Sequence, residues 1–384
     1  MQVVPRVALL GAPALVEATG LPEGERIGVR VSTRDRTGRR WSATRACRPA
    51  AGERCLDAAT LIPAMLPAGR DRLTPLDVDL LPPHGGLALD VELLVDGRVV
   101  ARAAARRLLA RPEVTTRLLS ERQDGLVGRF ATTGGAAPRP AVLVLGGSEG
   151  GLSRNPTAEL LASHGYDALQ LAYFGERGLP PKLERIPLEY LARALHWLAA
   201  RPGVDPQRLF VLGASRGAEL ALILGSRFPA LVHGVAAYAP SSYVVPALDG
   251  VTPAWTHHGA PVRPVVLSGG WADPRSAEGR AAAIPVERIR GPVLLVGGGD
   301  DLVWPAGDFV QAIADRLRAR GKRNFASVLA AHAGHAVAAK LPLLPLATFS
   351  ASGWSAGGFP APDAVARTRA WAVLLGMLER STRR

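Results

Sequence analysis

The reading of this chain turns on Leu209-Phe210-Val211-Leu212-Gly213-Ala214-Ser215-Arg216-Gly217. Four apolar residues run into a glycine-flanked serine, and Ala218–Ser226 then resumes with helical spacing. A short apolar run that ends in glycine is what a strand buried on both faces presents. Strand, serine turn and helix in immediate succession predict a nucleophile elbow of the G-x-S-x-G type. There the glycines remove side chains that would clash between strand and helix. The serine hydroxyl projects at a helix N-terminus, where free N–H groups and the helix dipole favour developing negative charge. The bland alternative is a glycine-rich connection with a capping serine.

The surroundings favour the elbow. Upstream, Ala141–Leu145 is a continuous apolar run ending in glycines, followed by a helix around Pro156–His164, a strand at Ala168–Ala172 and a helix over Leu188–Ala200. Downstream come strands at Gly234–Ala239, Val293–Val296 and Ala326–Leu329, with helices over Gly307–Arg320 and Ala361–Arg380. Strands alternating with helices imply a mostly parallel, doubly wound sheet covered on both faces, as in an α/β-hydrolase domain.

A serine nucleophile needs a base, and the base needs an acid to orient it. Val293–Val296 leads into Gly298-Gly299-Asp300-Asp301, with Pro305 four residues beyond, so Asp301 is the expected acid and Asp300 its competitor. Ala326–Leu329 leads into His332-Ala333-Gly334-His335, where Gly334 permits close backbone approach; His335 is the expected base and His332 the alternative. The N–H of Arg216 is one expected oxyanion donor. The loop Gly146-Gly147-Ser148-Glu149-Gly150-Gly151 offers the other through Gly147 and Ser148. That loop lacks Gly-Lys-Ser/Thr, which argues against a nucleotide site. His257-His258 invites a metal reading, but no third ligand stands at suitable spacing, so no metal is expected. No cofactor is needed for this chemistry.

The first third reads as β. Ile27–Ser32 and Trp41–Ala46 flank a turn at Thr37-Gly38, and Leu87–Leu94 and Val99–Ala105 flank Asp96-Gly97. A sandwich of about seven strands is expected here. The division is residues 1–125 as β-sandwich and residues 126–384 as catalytic domain, with Leu126–Ala131 as a further strand.

Bulk properties exclude several functions. The formal net charge of +13 comes almost wholly from arginine, since only Lys182, Lys322 and Lys340 are lysines. No basic run stands beside interleaved aromatics, so nucleic-acid binding is not expected. Cys47 and Cys55 have no further partners, which excludes a cysteine zinc site and a disulfide framework and leaves at most one hairpin bridge. Val7–Leu15 is apolar but contains Pro13 and lacks a convincing cleavage site. No stretch reaches the roughly 18 apolar residues of a membrane span. A cytoplasmic protein is expected.

Taken together, these residues resemble the family of acyl-CoA thioesterases and bile acid-CoA:amino acid N-acyltransferases. The similar segments are Leu145–Leu152, Leu171-Ala172-Tyr173-Phe174, Gly213–Glu219, Ala283–Ile289, Gly291–Trp304 and Gly334-His335; Gly20–Gly24 to Arg45 and Leu93–Leu109 resemble the family's immunoglobulin-like domain. The resemblance implies a serine thioesterase, because the family's nucleophile is serine in thioesterases and cysteine in N-acyltransferases, and Ser215 holds that position. It implies an acyl thioester substrate carried on CoA or an acyl-carrier protein. Acyl transfer to an amine or alcohol, a general esterase or dienelactone-type hydrolase, and a catalytically silent binding protein are the rival expectations.

Overall fold

Apolar runs without polar alternation need cover on both faces, and a large central sheet provides it. The computed structural model describes residues 1–20, 26–47, 57–70, 76–339, 344–350 and 353–382. Among the described residues, eight strands form one sheet in the order Phe325–Ala330, Val293–Gly298, Gly234–Tyr238, Val204–Ala214, Arg139–Leu145, Asp167–Ala172, Val127–Thr132 and Thr115–Leu119. The first six run parallel; the last two joins are antiparallel. Side chains of period two feed separate cores: Ala141, Leu143, Leu145, Leu209 and Val211 enter one, and Val142, Val144, Phe210 and Leu212 the other. Helices Leu188–Ala199 and Arg216–Arg227 cover the first face. Helices Thr157–Ser163 and Pro360–Thr382 cover the second. This is the α/β-hydrolase architecture expected. Among the described residues, no helix is long and apolar enough to cross a membrane.

The N-terminal unit departs from expectation in two ways. Its strands do not divide evenly into a seven-strand sandwich. Among the described residues, Val7–Leu9, Arg98–Leu108, Leu87–Val95, Ile27–Arg34, Arg40–Cys47 and Leu66–Pro67 form one six-stranded sheet in that order, and Gln2–Val4 pairs with Leu15–Glu17 as a separate ribbon. A 3₁₀ helix, Ala58–Ala64, helps cover the sheet with Ala58, Leu61 and Ile62 buried. Pairing also crosses the boundary expected at residue 125. Thr115–Leu119 pairs with Val127–Thr132 as the edge of the large sheet, with Gly125 at φ 64° closing the turn between them. Leu119 and Leu126 are buried in the same cluster as the large sheet's strands. Cys55 and residues 21–24 lie outside the described residues.

The two units share a hydrophobic core. Leu61 and Ile62 belong to the same buried cluster as Ala370, Trp371 and Leu374 of the final helix. Main-chain bonds also join them across a strap formed by residues 344–350 and 353–359. Leu76 O accepts from Thr348 N–H at 2.7 Å, Leu76 N–H donates to Thr348 Oγ1 at 3.0 Å, and Leu80 N–H donates to Pro345 O at 3.0 Å. Farther along, Thr348 O accepts from Ala356 N–H at 2.7 Å.

Candidate active site

The elbow follows from steric necessity. A methyl group on Gly213 would come 1.9 Å from Gly217 O, and one on Gly217 would come 2.1 Å from Gly146 O. No side chain fits at either position. Between them Ser215 adopts φ 53° and ψ −120°, a strained left-handed conformation for a residue with a side chain. That strain lifts its Oγ clear of both the strand and the helix beginning at Arg216.

Two loops at the same end of the sheet bring the partners in. Asp301 follows Val293–Gly298 and His335 follows Phe325–Ala330. His335 Nδ1 lies 2.7 Å from Asp301 Oδ2, and His335 Nε2 lies 2.9 Å from Ser215 Oγ. The Asp301 side chain is wholly buried, and its Oδ1 accepts the N–H groups of Val303 at 2.9 Å and Trp304 at 3.3 Å. An ionised carboxylate only accepts, so Nδ1 must carry the imidazole proton. Nε2 is then free to accept from the serine hydroxyl. The competitors pair with each other instead: Asp300 Oδ2 and His332 Nδ1 are 3.3 Å apart, on side chains 46% and 73% exposed.

The glycine loop abuts the serine. A methyl on Gly147 would come 3.2 Å from Ser215 Cβ and 2.7 Å from Glu149 Oε2. The Tyr173 hydroxyl lies 2.9 Å from Gly146 O and 3.1 Å from Gly147 O, donating its one proton between them. Gly151 N–H donates to Phe174 O at 2.9 Å. Arg216 is the first residue of its helix, where an N–H has no partner within the helix. Ser148 is exposed at the loop's tip.

Behind the elbow sits a polar cluster that sequence reasoning missed. The Arg216 side chain, expected only for its N–H, is 4% exposed; its Nη1 lies 3.0 Å from Glu219 Oε2, and its Nη2 donates to Val245 O at 2.9 Å. Glu219 is fully buried and also accepts from Trp255 Nε1 at 2.7 Å and Val245 N at 3.0 Å. Burial pushes its carboxyl above the ordinary value, while Arg216 and these donors oppose that rise. The available signal was an Arg and a Glu three apart in an otherwise apolar helix.

Against expectation, the structure supplies His257-His258 with a third donor. Glu189, from a helix nearly seventy residues upstream, places Oε1 3.6 Å from His258 Nδ1 and 4.0 Å from His257 Nε2. Sequence spacing could not reveal it. Arg227 Nη1 lies 3.4 Å from His257 Nδ1. A metal on Nε2 would need Nδ1–H facing an acceptor, and a guanidinium is only a donor. The group, in which Glu189 Oε1 also accepts the His258 N–H at 2.6 Å, fits a hydrogen-bonded cluster better than a metal centre.

A family model described as "BAAT / Acyl-CoA thioester hydrolase C terminal" matches residues 186–383, more than half of the chain. The chain belongs to the BAAT / acyl-CoA thioester hydrolase family. Human acyl-coenzyme A thioesterase 6 is 28% identical over 277 residues, covering 70% of this chain and 63% of that protein. Rat acyl-coenzyme A amino acid N-acyltransferase 2 is 27% identical over 265 residues, covering 65% of this chain and 62% of that protein. The chain thus spans less than two thirds of the length of each. Among solved structures, a dienelactone hydrolase-like promiscuous phosphotriesterase from metagenomic libraries aligns with a TM-score of 0.46 and 20% identity, over 70% of this chain and 98% of that one. For a member of the BAAT / acyl-CoA thioester hydrolase family, the matched region takes in Ser215, Asp301 and His335 but not the glycine loop at Gly146–Gly151.

Proposed function

We propose that this chain hydrolyses acyl-CoA thioesters through a covalent acyl intermediate on Ser215. The observation that carries the reading is the hydrogen-bonded relay from Ser215 Oγ through His335 to Asp301. Family membership and the thioesterase relatives favour a thioester as substrate. His335 Nε2 takes the serine proton as Oγ bonds to the thioester carbonyl carbon, while Asp301 stabilises the resulting imidazolium. The N–H of Arg216 and those of Gly147 and Ser148 are the proposed donors to the oxyanion. Collapse breaks the C–S bond, and the imidazolium proton goes to the departing CoA thiolate. Water, deprotonated by His335, then attacks the acyl-serine, and the acid leaves as Oγ regains its proton. The six-stranded sheet and its ribbon are read as an immunoglobulin-like domain flanking this machinery.

Similarity to the rat N-acyltransferase favours a second reading, in which an amine replaces water. One experiment addresses both. Purified protein and Ser215→Ala are assayed against a panel of acyl-CoA thioesters and matching oxyesters, with released thiol as the readout for thioesters, released acid for oxyesters, and mass spectrometry of products in the presence of glycine or taurine. Ser215→Ala should lose on the order of 10³–10⁶ in kcat. Near-normal turnover by that variant would end the serine assignment, and mainly amide product from the wild type would replace hydrolysis by acyl transfer.

A further inference from the structure

The loop bearing His335 is gripped from two sides. On one, His335 N–H donates to Ala356 O of the strap at 2.7 Å. On the other stands the first turn of the final helix, where Asp363 Oδ1 accepts the N–H of Gly334 at 2.8 Å. One turn later Arg367 donates from Nη1 to Ala336 O at 3.0 Å and from Nη2 to Leu344 O. Asp363 is 0% exposed and Arg367 1% exposed, so both charges are committed to the interior. Gly334 has no room to shift, because even a methyl there would come 2.1 Å from Gly357 O.

Stability alone does not account for an aspartate here. Among the described residues its buried Oδ2 has no hydrogen-bond partner, a costly arrangement for a carboxylate. An asparagine could accept the same N–H. What aspartate adds is charge, and the charge faces the proposed relay. The ionisable groups that bear on Asp363 are Arg367 on its own helix, Asp301 on the acid loop and His335 on the base loop.

We infer that Asp363 is a positioning residue for His335, fixing the backbone from which the imidazole projects and adding a second buried anion behind the imidazolium. The inference rests on His335 being the catalytic base. Arg367 completes the clamp from the carbonyl side. Burial pushes the Asp363 carboxyl up to about 7, with Arg367 and His335 pulling it down and Asp301 pushing it up. The Asp363 carboxyl therefore contributes to the acid limb of the pH–rate profile. Removing that carboxyl removes its charge from beside the proposed relay, so the acid limb moves to lower pH.

The test compares His335→Ala, Asp363→Ala and Asp363→Asn in the full chain, measuring kcat, KM and the pH–rate profile with one acyl-CoA. Asp363→Ala strands the Gly334 N–H and frees the loop, so kcat should fall about 10–100-fold with KM little changed, in line with the cost of a 1 Å misplacement. Asp363→Asn keeps the acceptor. Its plateau kcat should stay within about threefold of wild type while the acid limb moves to lower pH. If His335→Ala retains activity, the proposed function fails first and takes this inference with it. If His335→Ala is inactive but Asp363→Ala matches wild-type kcat, the positioning role is overturned on its own. Should Asp363→Ala not fold, an Asp363→Asn acid limb superimposed on wild type overturns it equally.

Discussion

Gly217→Ala offers a sharp test of how the elbow meets the glycine loop. The added methyl would come 2.1 Å from Gly146 O, 2.9 Å from Leu145 O and 3.1 Å from Gly146 C. All three are main-chain atoms, so no rotamer change relieves the clash. A carbon next to a carbonyl oxygen settles at roughly 3.3 Å, so the loop must retreat by about 1.2 Å. Gly147 rides on that loop beside Ser215, and a shift of this size should cost about 10²-fold in kcat/KM, comparable to losing one oxyanion donor. Overpacking should also cost about 1–3 kcal/mol of stability. Gly225→Ala is the control within the same helix. Its methyl would meet Val235 Cγ2 at 2.7 Å and Ile289 Cγ1 at 3.2 Å, which are side-chain atoms remote from the serine. It should destabilise to a similar degree and leave kcat/KM intact. Thiol release, acyl-enzyme formation by mass spectrometry and urea denaturation read both variants. A folded Gly217→Ala protein with kcat/KM within about threefold of wild type would refute the idea that this contact places the loop.

Three further outcomes are expected. Asp301→Asn should cut kcat by about 10⁴, because an amide lets the imidazole take the wrong tautomer, whereas exposed Asp300→Asn should change kcat less than about threefold; a reversal in steady-state assays would move the acid one residue upstream. Thr348→Val removes the acceptor of Leu76 N–H at a residue only 1% exposed, and should cost about 1–3 kcal/mol in urea unfolding while lowering kcat. Glu287 receives Arg316 at 2.6 and 2.9 Å, and those bonds hold its carboxyl below the ordinary value against burial. Stability from a lowered carboxyl is present above its unfolded pKa and disappears as pH falls through the folded one. Glu287→Gln should therefore cost about 0.5–1 kcal/mol at pH 7, reduced by partial exposure of the pair, and the difference from wild type should close below the usual glutamate range.

The large sheet was legible because its strands carry their burial in composition. Runs such as Ala141–Leu145 and Leu209–Leu212 allow no solvent face, and their glycine-terminated ends mark the side on which loops gather. Ser215, Asp301 and His335, which the fold brings into hydrogen-bond contact, were singled out for the same reason: each stands just past such a strand. Even so, two neighbouring acids and two nearby histidines left four pairings open, and it is the burial of Asp301 and His335 and the hydrogen bond from His335 to Ser215 that separate them from the exposed Asp300 and His332. What escaped the sequence was polar contact between distant segments. Glu189 reaches His257 and His258 across the fold, and Asp363 and Arg367 lie four apart on the buried stripe of a helix whose apolar pattern hid them. The N-terminal hairpins, Ile27–Ser32 with Trp41–Ala46 and Leu87–Leu94 with Val99–Ala105, pair as their turns implied, but their joining into one sheet was not legible. A hairpin turn fixes its two neighbours and is silent on which sheet a short strand such as Gln2–Val4 joins.

The strap makes the protein's two units unequal to its two large sheets. Leu76 is bonded to Thr348, Thr348 to Ala356, and Ala356 O takes the N–H groups of both His335, at 2.7 Å, and Leu302, at 3.3 Å, the residue after Asp301. Three residues, Leu76, Thr348 and Ala356, thus connect the β unit to both the acid loop and the base loop without passing through the substrate. The piece that can be exchanged between relatives is accordingly discontinuous: a foreign N-terminal unit must bring its own version of residues 344–359. Substitutions near Leu76, far from Ser215 in the chain, would register as changes in turnover before any change in what binds.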